Sequence, residues 1–277
     1  MNQTSFALKG NIFFTPAPGQ LAIYPESYLV CVDQKVAGVF AQLPEQYKDL
    51  PVEDHSGKLI LPGLVDLHVH ASQYAYRGLG MDMELLQWLE ANAFPEESKF
   101  ADLEYAEKAY GIFTRQLLHS ATTRACIFAT IHRPATLKLM ELLEKAGLCC
   151  YVGKVNMDRN SPDILRETCE ESLAETRQWL LDSAVFTKSK PMLTPRFTPS
   201  CTDELMAALG ELQKEFGVPM QSHLSENLSE IKWVSELCPG TRFYGEAYEQ
   251  FGLFGGECPT VMAHCVWSGP EERARMK

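Results

Sequence analysis

The stretch "LPGLVDLHVHASQY", residues 61–74, decides how this chain is read. The apolar residues Leu64, Val65 and Leu67 run directly into two histidines, His68 and His70, spaced i and i+2. A β-strand turns alternate side chains to opposite faces, so two imidazoles at that spacing project together from one strand end. Neutral imidazole is a good ligand for zinc and its neighbours in the divalent series, and a catalytic zinc takes three protein ligands with one position left for water. By itself such a pair is more often a polar strand end than a metal site, so its meaning depends on further ligands.

Beyond residue 60, short apolar runs alternate with amphipathic segments, the order expected of parallel strands joined by helices. The candidate strands are "LILPGLVDLHVH", "TTRACIFATI", "GLCCYVGKVNMD", "SKPMLTPRF", "VPMQSHLSE" and "PTVMAHCVW". Between them, Leu103, Ala106, Tyr110, Phe113 and Leu117 form one helical stripe over residues 102–119. In "SPDILRETCEESLAETRQWLLD", Ser161 reads as N-cap with Pro162 at the first helical position. In "TDELMAALGELQKEFG", Thr202 reads as N-cap and Gly217 as the stop. The fold class expected is a (β/α)8 TIM-type barrel, incomplete here at about six strands, over residues 61–277. Before it, "YLVCV" and "VAGVF" flank the turn-like "DQK" as a hairpin, which makes residues 1–60 a small β unit, part of a β-sandwich.

In a parallel (β/α) barrel the chemistry gathers at the C-terminal ends of the strands. His223 falls late in "VPMQSHLSE" and His264 late in "PTVMAHCVW", so four of the seven histidines, from three strand ends, meet one positional rule. His55, His119 and His132 are left as structural. Three residues past His223 stands Glu226, where strand gives way to loop and then helix. A carboxylate there has a plain use, complementing the positive end of a helix dipole. Beside a metal-activated water it would also be a proton acceptor and donor.

Composition narrows the partners. The chain has 277 residues, 45% of them hydrophobic, enough for one large domain and a small appendage. Lys and Arg number 25 against 36 Asp and Glu, a formal charge of −11 with no basic run, so neither nucleic acid nor an anionic membrane is an expected partner. Nine cysteines form no CxxC pair and suggest reduced thiols in a cytoplasmic setting. The start "MNQTSFALKGNIFFTP" lacks the pattern of an export signal, and nowhere do 18 apolar residues run together.

"PGLVDLHVH", "QSHLSEN" and "VMAHC", with "HASQY", resemble the metal-dependent amidohydrolase superfamily and, within it, the guanine deaminases. The resemblance extends over essentially the whole chain, through "LQWLEANAFPEE", "FATIH", "VGKVNMD" and "TPRFTPSC". It implies that His68, His70, His223 and His264 are zinc ligands and Glu226 the proton shuttle. Gln73 and Arg196 would hydrogen-bond a purine, and Phe197 with Trp88 would line its flat face. Each has a plainer use: a loop-capping amide, an ion-pair donor, two core aromatics. Gln73 and Trp88, however, lie on a roughly thirty-residue connection, and connections that long are usually functional.

The activity implied is hydrolytic deamination of guanine to xanthine and ammonia, with guanine and water as the small-molecule partners. No lysine stands at the end of "PMLTPRF", where a bridging carbamate would hold a second metal, so one zinc per subunit is expected. The other nucleobase-deaminase signature, H-x-E with P-C-x-x-C, is absent. Assembly as a homodimer stays open. The aspartate that relatives carry after an eighth strand has no counterpart, so the chain reads as truncated. An inactive fragment that binds zinc or purine, and a deaminase of another amidohydrolase subfamily, stand as the alternatives.

Overall fold

The computed structural model of the protein describes residues 4–277, which divide into two compact units, one ending at Gly63 and the other Leu64–Lys277. In the first, β1 (Phe6–Ala17), β2 (Gln20–Val32), β3 (Lys35–Phe40) and β4 (Val52–Ile60) form one sheet in the order β3-β2-β1-β4. β1 pairs antiparallel with β2, and β2 with β3, while β4 joins β1 in parallel. The β2–β3 hairpin turns at Asp33 and Gln34, whose φ values are 48° and 66°. Two left-handed residues at the centre of a two-residue loop match the twist of the strands they join. The four strands form a single layer.

The second unit begins with β5 (Leu64–His70), followed by α1 (Leu85–Trp88), α2 (Phe94–Glu97) and α3 (Leu103–Leu118). Next come β6 (Thr122–Phe128), α4 (Arg133–Ala146), β7 (Cys149–Gly153), β8 (Val155–Asn156) and α5 (Cys169–Asp182). The chain continues through β9 (Lys190–Pro191), β10 (Thr194–Pro195), α6 (Asp203–Phe216) and β11 (Met220–Leu224). It ends with α7 (Leu228–Leu237), α8 (Glu246–Glu249), β12 (Thr260–His264) and α9 (Pro270–Arg275). Parallel pairing runs β5 to β6, β6 to β7, β7 to β9, β8 to β10 and β11 to β12, and Leu193 bridges Met220. β7 with β8, and β9 with β10, are single strand positions broken in the middle. Six parallel positions therefore stand side by side with helices on the connections, the six strands read from the sequence.

The core lies between strands and helices. Tyr110 and Phe113 of α3, Leu139 and Leu143 of α4, Trp179 of α5 and Leu205 and Leu209 of α6 are all buried there. Each such side chain stabilises by roughly 1.5–3 kcal/mol relative to exposure. On the α3 stripe Ala106, Tyr110 and Phe113 are buried, Leu117 packs partly, and Leu103 in the first turn is exposed. Leu64, Val65 and Leu67 are more than half exposed, although an apolar strand of a parallel sheet is expected to be covered. β5 has a strand partner, β6, on one edge only among the described residues. No helix among the described residues is long and apolar enough to cross a membrane.

One helix start differs from the expectation. Ser161 and Pro162 do not open α5; residues 163–165 make a single 3-10 turn and the helix begins seven residues later. Thr168 is its N-cap, accepting from the Glu171 amide at 3.1 Å while Glu171 Oε2 accepts from the Thr168 amide at 2.9 Å. That reciprocal pair satisfies two otherwise orphaned amides, which Ser161 cannot do because the residue three places on is Ile164, with no side-chain acceptor to return the bond. The residue before the cap, Glu167, is also engaged: both its oxygens accept from the buried Lys154 Nζ at 2.9 Å. α6 starts and stops as read, with Thr202 Oγ1 accepting from Leu205 N at 3.2 Å and Gly217 at φ +61°.

The loop after α5 is held by Glu144 in the last turn of α4. Its carboxylate accepts from the Thr187 amide and hydroxyl at 3.0 and 2.6 Å, and from the amides of Lys188 and Ser189 at 2.8 and 3.0 Å. Burial raises the carboxyl, but the bonds from Thr187, Ser189 and Lys188 outweigh it and hold the pKa at about 2. A carboxyl depressed in the folded state contributes stability above its unfolded pKa and loses it as pH falls toward the folded value. Glu144→Ala should therefore destabilise by about 1–3 kcal/mol at pH 7 in urea titrations. The difference from the parent should shrink between pH 4.5 and pH 2, and a difference constant over that window would refute the assignment.

Candidate active site

The C-terminal ends of β5, β11 and β12 bring four imidazoles together. Ring centroids of His68 lie 4.9 Å from those of His70, His223 and His264, and His223 and His264 stack at 5.4 Å. Nitrogens of His68, His223 and His264 all fall within 4.8 Å of one another. His70 Nε2 faces His223 Nε2 at 3.0 Å. The β11–β12 register sets His223 beside Ala263 and Leu224 beside His264, so the two strand ends finish level.

The backbone at these ends is strained. Ser225, His264 and Cys265 have φ of 48°, 71° and 55°, left-handed conformations that non-glycine residues adopt uncommonly. They are pinned by backbone bonds from the Cys265 amide to the Leu224 carbonyl at 2.8 Å and from the Trp267 amide to the Ser225 carbonyl at 2.9 Å. Strain held in place in this way clusters at functional sites.

His223 Nδ1–H donates to the Arg196 carbonyl at 2.6 Å, which fixes the tautomer and leaves Nε2 as a bare lone pair. The Nδ1 atoms of His68 and His70 are buried without a hydrogen-bond partner. Burial, then the His264 and Arg196 charges, push His68 down to about 4. Burial and neighbouring charges hold His70 and His223 well below the usual histidine range, and burial lowers His264. All four rings are thus neutral at pH 7, as metal ligation requires. Two nitrogens bound to one tetrahedral zinc at about 2.0–2.1 Å lie roughly 3.3 Å apart, close to the spacing of His70 and His223. Neutral rings and the spacing of their nitrogens together fit a divalent metal of the zinc class.

Glu226 Oε2 lies 3.4 Å from His264 Nε2. With the imidazole neutral this is contact and not an ion pair. Burial, and secondarily the Glu230 charge, push Glu226 up to about 7. The helix-dipole use expected of Glu226 belongs instead to its neighbours. Asn227 is the N-cap of α7 and Glu230 completes the capping box, so Glu226 precedes the helix. Glu230 is fully buried and takes the Tyr244 hydroxyl at 2.8 Å.

All nine side chains singled out in the sequence line one cavity of about 190 Å³: His68, His70, Gln73, Trp88, Arg196, Phe197, His223, Glu226 and His264. Trp88 reaches it from α1 with its indole N–H spent on the Leu79 carbonyl at 3.0 Å. A π-helical turn, Leu89–Ala93, follows, an irregularity frequent at functional sites. Phe197 is buried, with Trp233 edge-on at 6.3 Å.

Two residues here escaped sequence reasoning. Phe128 packs on His70, His223 and His68 at 4.5, 4.8 and 5.0 Å and gives the imidazoles an apolar wall. Glu97, 2% exposed, takes both Arg196 Nη groups at 2.5 and 3.1 Å and the Gln73 amide nitrogen at 3.0 Å. In "FPEE" nothing distinguishes it from Glu96, which pairs with Lys99. The one signal was its place on the long connection.

The Amidohydrolase family model matches residues 59–277, and the chain belongs to the Amidohydrolase family, whose members are metal-dependent. Guanine deaminase of Dictyostelium discoideum is 40% identical over 288 residues, covering 95% of this chain and 62% of that protein. The crystal structure of guanine deaminase from C. acetobutylicum with guanine bound in its active site superposes with a TM-score of 0.94 at 46% identity, covering 98% of this chain and 65% of that one. E. coli guanine deaminase superposes at 0.84 with 33% identity, covering 99% and 65%. The fold is the (β/α)8 TIM type of these neighbours, and the chain spans about two thirds or less of the length of each.

Removing one partner of a buried ion pair strands the other charge. Glu97→Ala should cost about 3–5 kcal/mol in chemical denaturation, whereas the double variant Glu97→Leu/Arg196→Met should cost clearly less. Additive losses would show that the two groups do not act as a pair.

Proposed function

We propose that the whole protein hydrolyses the bond between C2 of guanine and its exocyclic amine, giving xanthine and ammonia. His68, His70, His223 and His264 would hold one zinc ion per subunit, Glu226 would move the proton, and Gln73, Arg196, Phe197 and Trp88 would bind the base. The observation that carries this is the convergence of nine side chains from five separate stretches of chain on one cavity, with Glu226 3.4 Å from His264. The guanine deaminases similar to this chain supply the substrate class. We place the reaction in the cytosol, where nine cysteines stay reduced.

Zinc at this site would supply Lewis acidity, lowering the pKa of a water to about 7. The rest is the work of the chain. Phe197 and Trp88 border a narrow cavity suited to a flat ring, and Arg196 and Gln73 hold the ring's polar edge. Glu226 accepts a proton from the attacking water as the oxygen joins C2 and delivers it to ring N3; the proton left on the new C2 hydroxyl then passes through the same carboxylate to the exocyclic nitrogen as the C2–N bond breaks. Ammonia then leaves in place of an amide anion, and the oxygen remains as the 2-oxo group of xanthine. A carboxyl poised near 7 suits both halves of that transfer.

The stretch "TPRF" that closes this strand position from β10 onward carries no lysine that would bridge a second metal, so elemental analysis should find about one zinc per subunit. Two tightly bound ions would sink the mononuclear reading. In the same preparations, Glu226→Gln should keep its zinc while xanthine formation falls by roughly 10²- to 10⁴-fold. Adenine and cytosine should be poor substrates, and ammonia release from either at the guanine rate would overturn the assignment.

A further inference from the structure

We propose that Glu97 is a positioning residue that decides which edge of a purine the cavity accepts. The inference rests on the guanine reading above and extends it to a side chain outside the nine. Glu97 Oε1 accepts from Gln73 Nε2 at 3.0 Å and from Arg196 Nη2 at 3.1 Å, and Oε2 accepts from Arg196 Nη1 at 2.5 Å. A carboxylate paired with a guanidinium only accepts. The end of the Gln73 amide that faces it is therefore the NH2 group, which turns Oε1, the one acceptor of the amide, away from Glu97. Arg196 offers only donors: it carries five N–H bonds, and Glu97 engages two of its nitrogens.

Gln73 and Arg196 both line the cavity, so the clamp presents a fixed pattern there: an acceptor from Gln73 and donors from Arg196. The complement of that pattern is a lactam edge, whose C=O accepts and whose ring N–H donates. Guanine carries this edge at O6 and N1. A 6-aminopurine carries the reverse, an amine donor beside a bare ring nitrogen, and would set donor against donor and acceptor against acceptor. Freed from Glu97, the Gln73 amide could rotate by half a turn and serve either edge. Gln73 alone is thus ambiguous, and the buried carboxylate behind it removes the ambiguity.

The test compares guanine with 2,6-diaminopurine, which keeps the 2-amino leaving group and exchanges the 6-oxo group for an amine. With zinc-loaded protein, the wild-type ratio of kcat/KM should favour guanine by up to roughly 10⁴-fold. Glu97→Gln can donate to Gln73 Oε1 and so permits the flip, and the ratio should fall at least about tenfold with zinc content unchanged. Glu97→Asp keeps the charge beside Arg196 but is one methylene shorter, and should give an intermediate fall. A purely structural role lowers both substrates together, so a ratio within about twofold of wild type in either folded variant would overturn the proposal. Should neither variant fold, NMR exchange on the wild-type protein decides: the Gln73 side-chain amide protons should exchange at least tenfold more slowly than those of free glutamine, and equal rates would overturn the clamp. Wild-type protein that turns over neither purine removes the guanine reading, and the exchange measurement then decides the clamp by itself.

Discussion

The peptide carbonyl of Arg196 is the joint on which the site depends. It accepts from His223 Nδ1 at 2.6 Å and from the Ser222 hydroxyl at 3.2 Å, so it sets both the tautomer and the direction of a buried imidazole. The side chain of the same residue reaches the other way, to Glu97 and through it to Gln73. One residue at the end of β10 thereby couples the orientation of a metal-class ligand to the orientation of the amide across the cavity. Outer partners of this kind fix the ring orientation of a ligand, and losing one typically costs roughly 10- to 100-fold in metal affinity or activity.

Burial supplies the electrostatics, acting in opposite directions on two kinds of group. It pushes the imidazoles toward neutrality and the Glu226 carboxyl upward, because the low-dielectric interior penalises whichever form is charged. Phe128 on one side and Leu85 and Leu89 on the other make that interior. The result is a set of neutral nitrogens beside one carboxyl able to trade a proton near pH 7, which no surface cluster of the same residues would give.

Much of this was legible in the chain itself. The i, i+2 histidines fixed a strand and its active end, and the barrel rule then picked out His223 and His264 from seven histidines. Thr202 and Gly217 bounded α6 because local hydrogen bonding and a left-handed φ are decided within a few residues. What failed was of two kinds. At α5 a local competition was misjudged, because Thr168 with Glu171 makes a reciprocal cap that Ser161 cannot match. Glu97 and the exposure of Leu64, Val65 and Leu67 were out of reach for a different reason. Ninety-nine residues separate Glu97 from Arg196, and what covers a strand's far edge is set by which strand stands beside it.

That separation along the chain also bears on how the site can assemble. His70 and His223, whose nitrogens meet at 3.0 Å, are 153 residues apart. Bringing such distant segments together carries a loop-closure entropy that only the stacking of the intervening strands and helices offsets, and contacts of this range form late. The imidazole cluster is then a clock for the molecule. A metal ion held by all four imidazoles would find its full ligand set only once those layers had docked, so its uptake would follow the assembly of the strands.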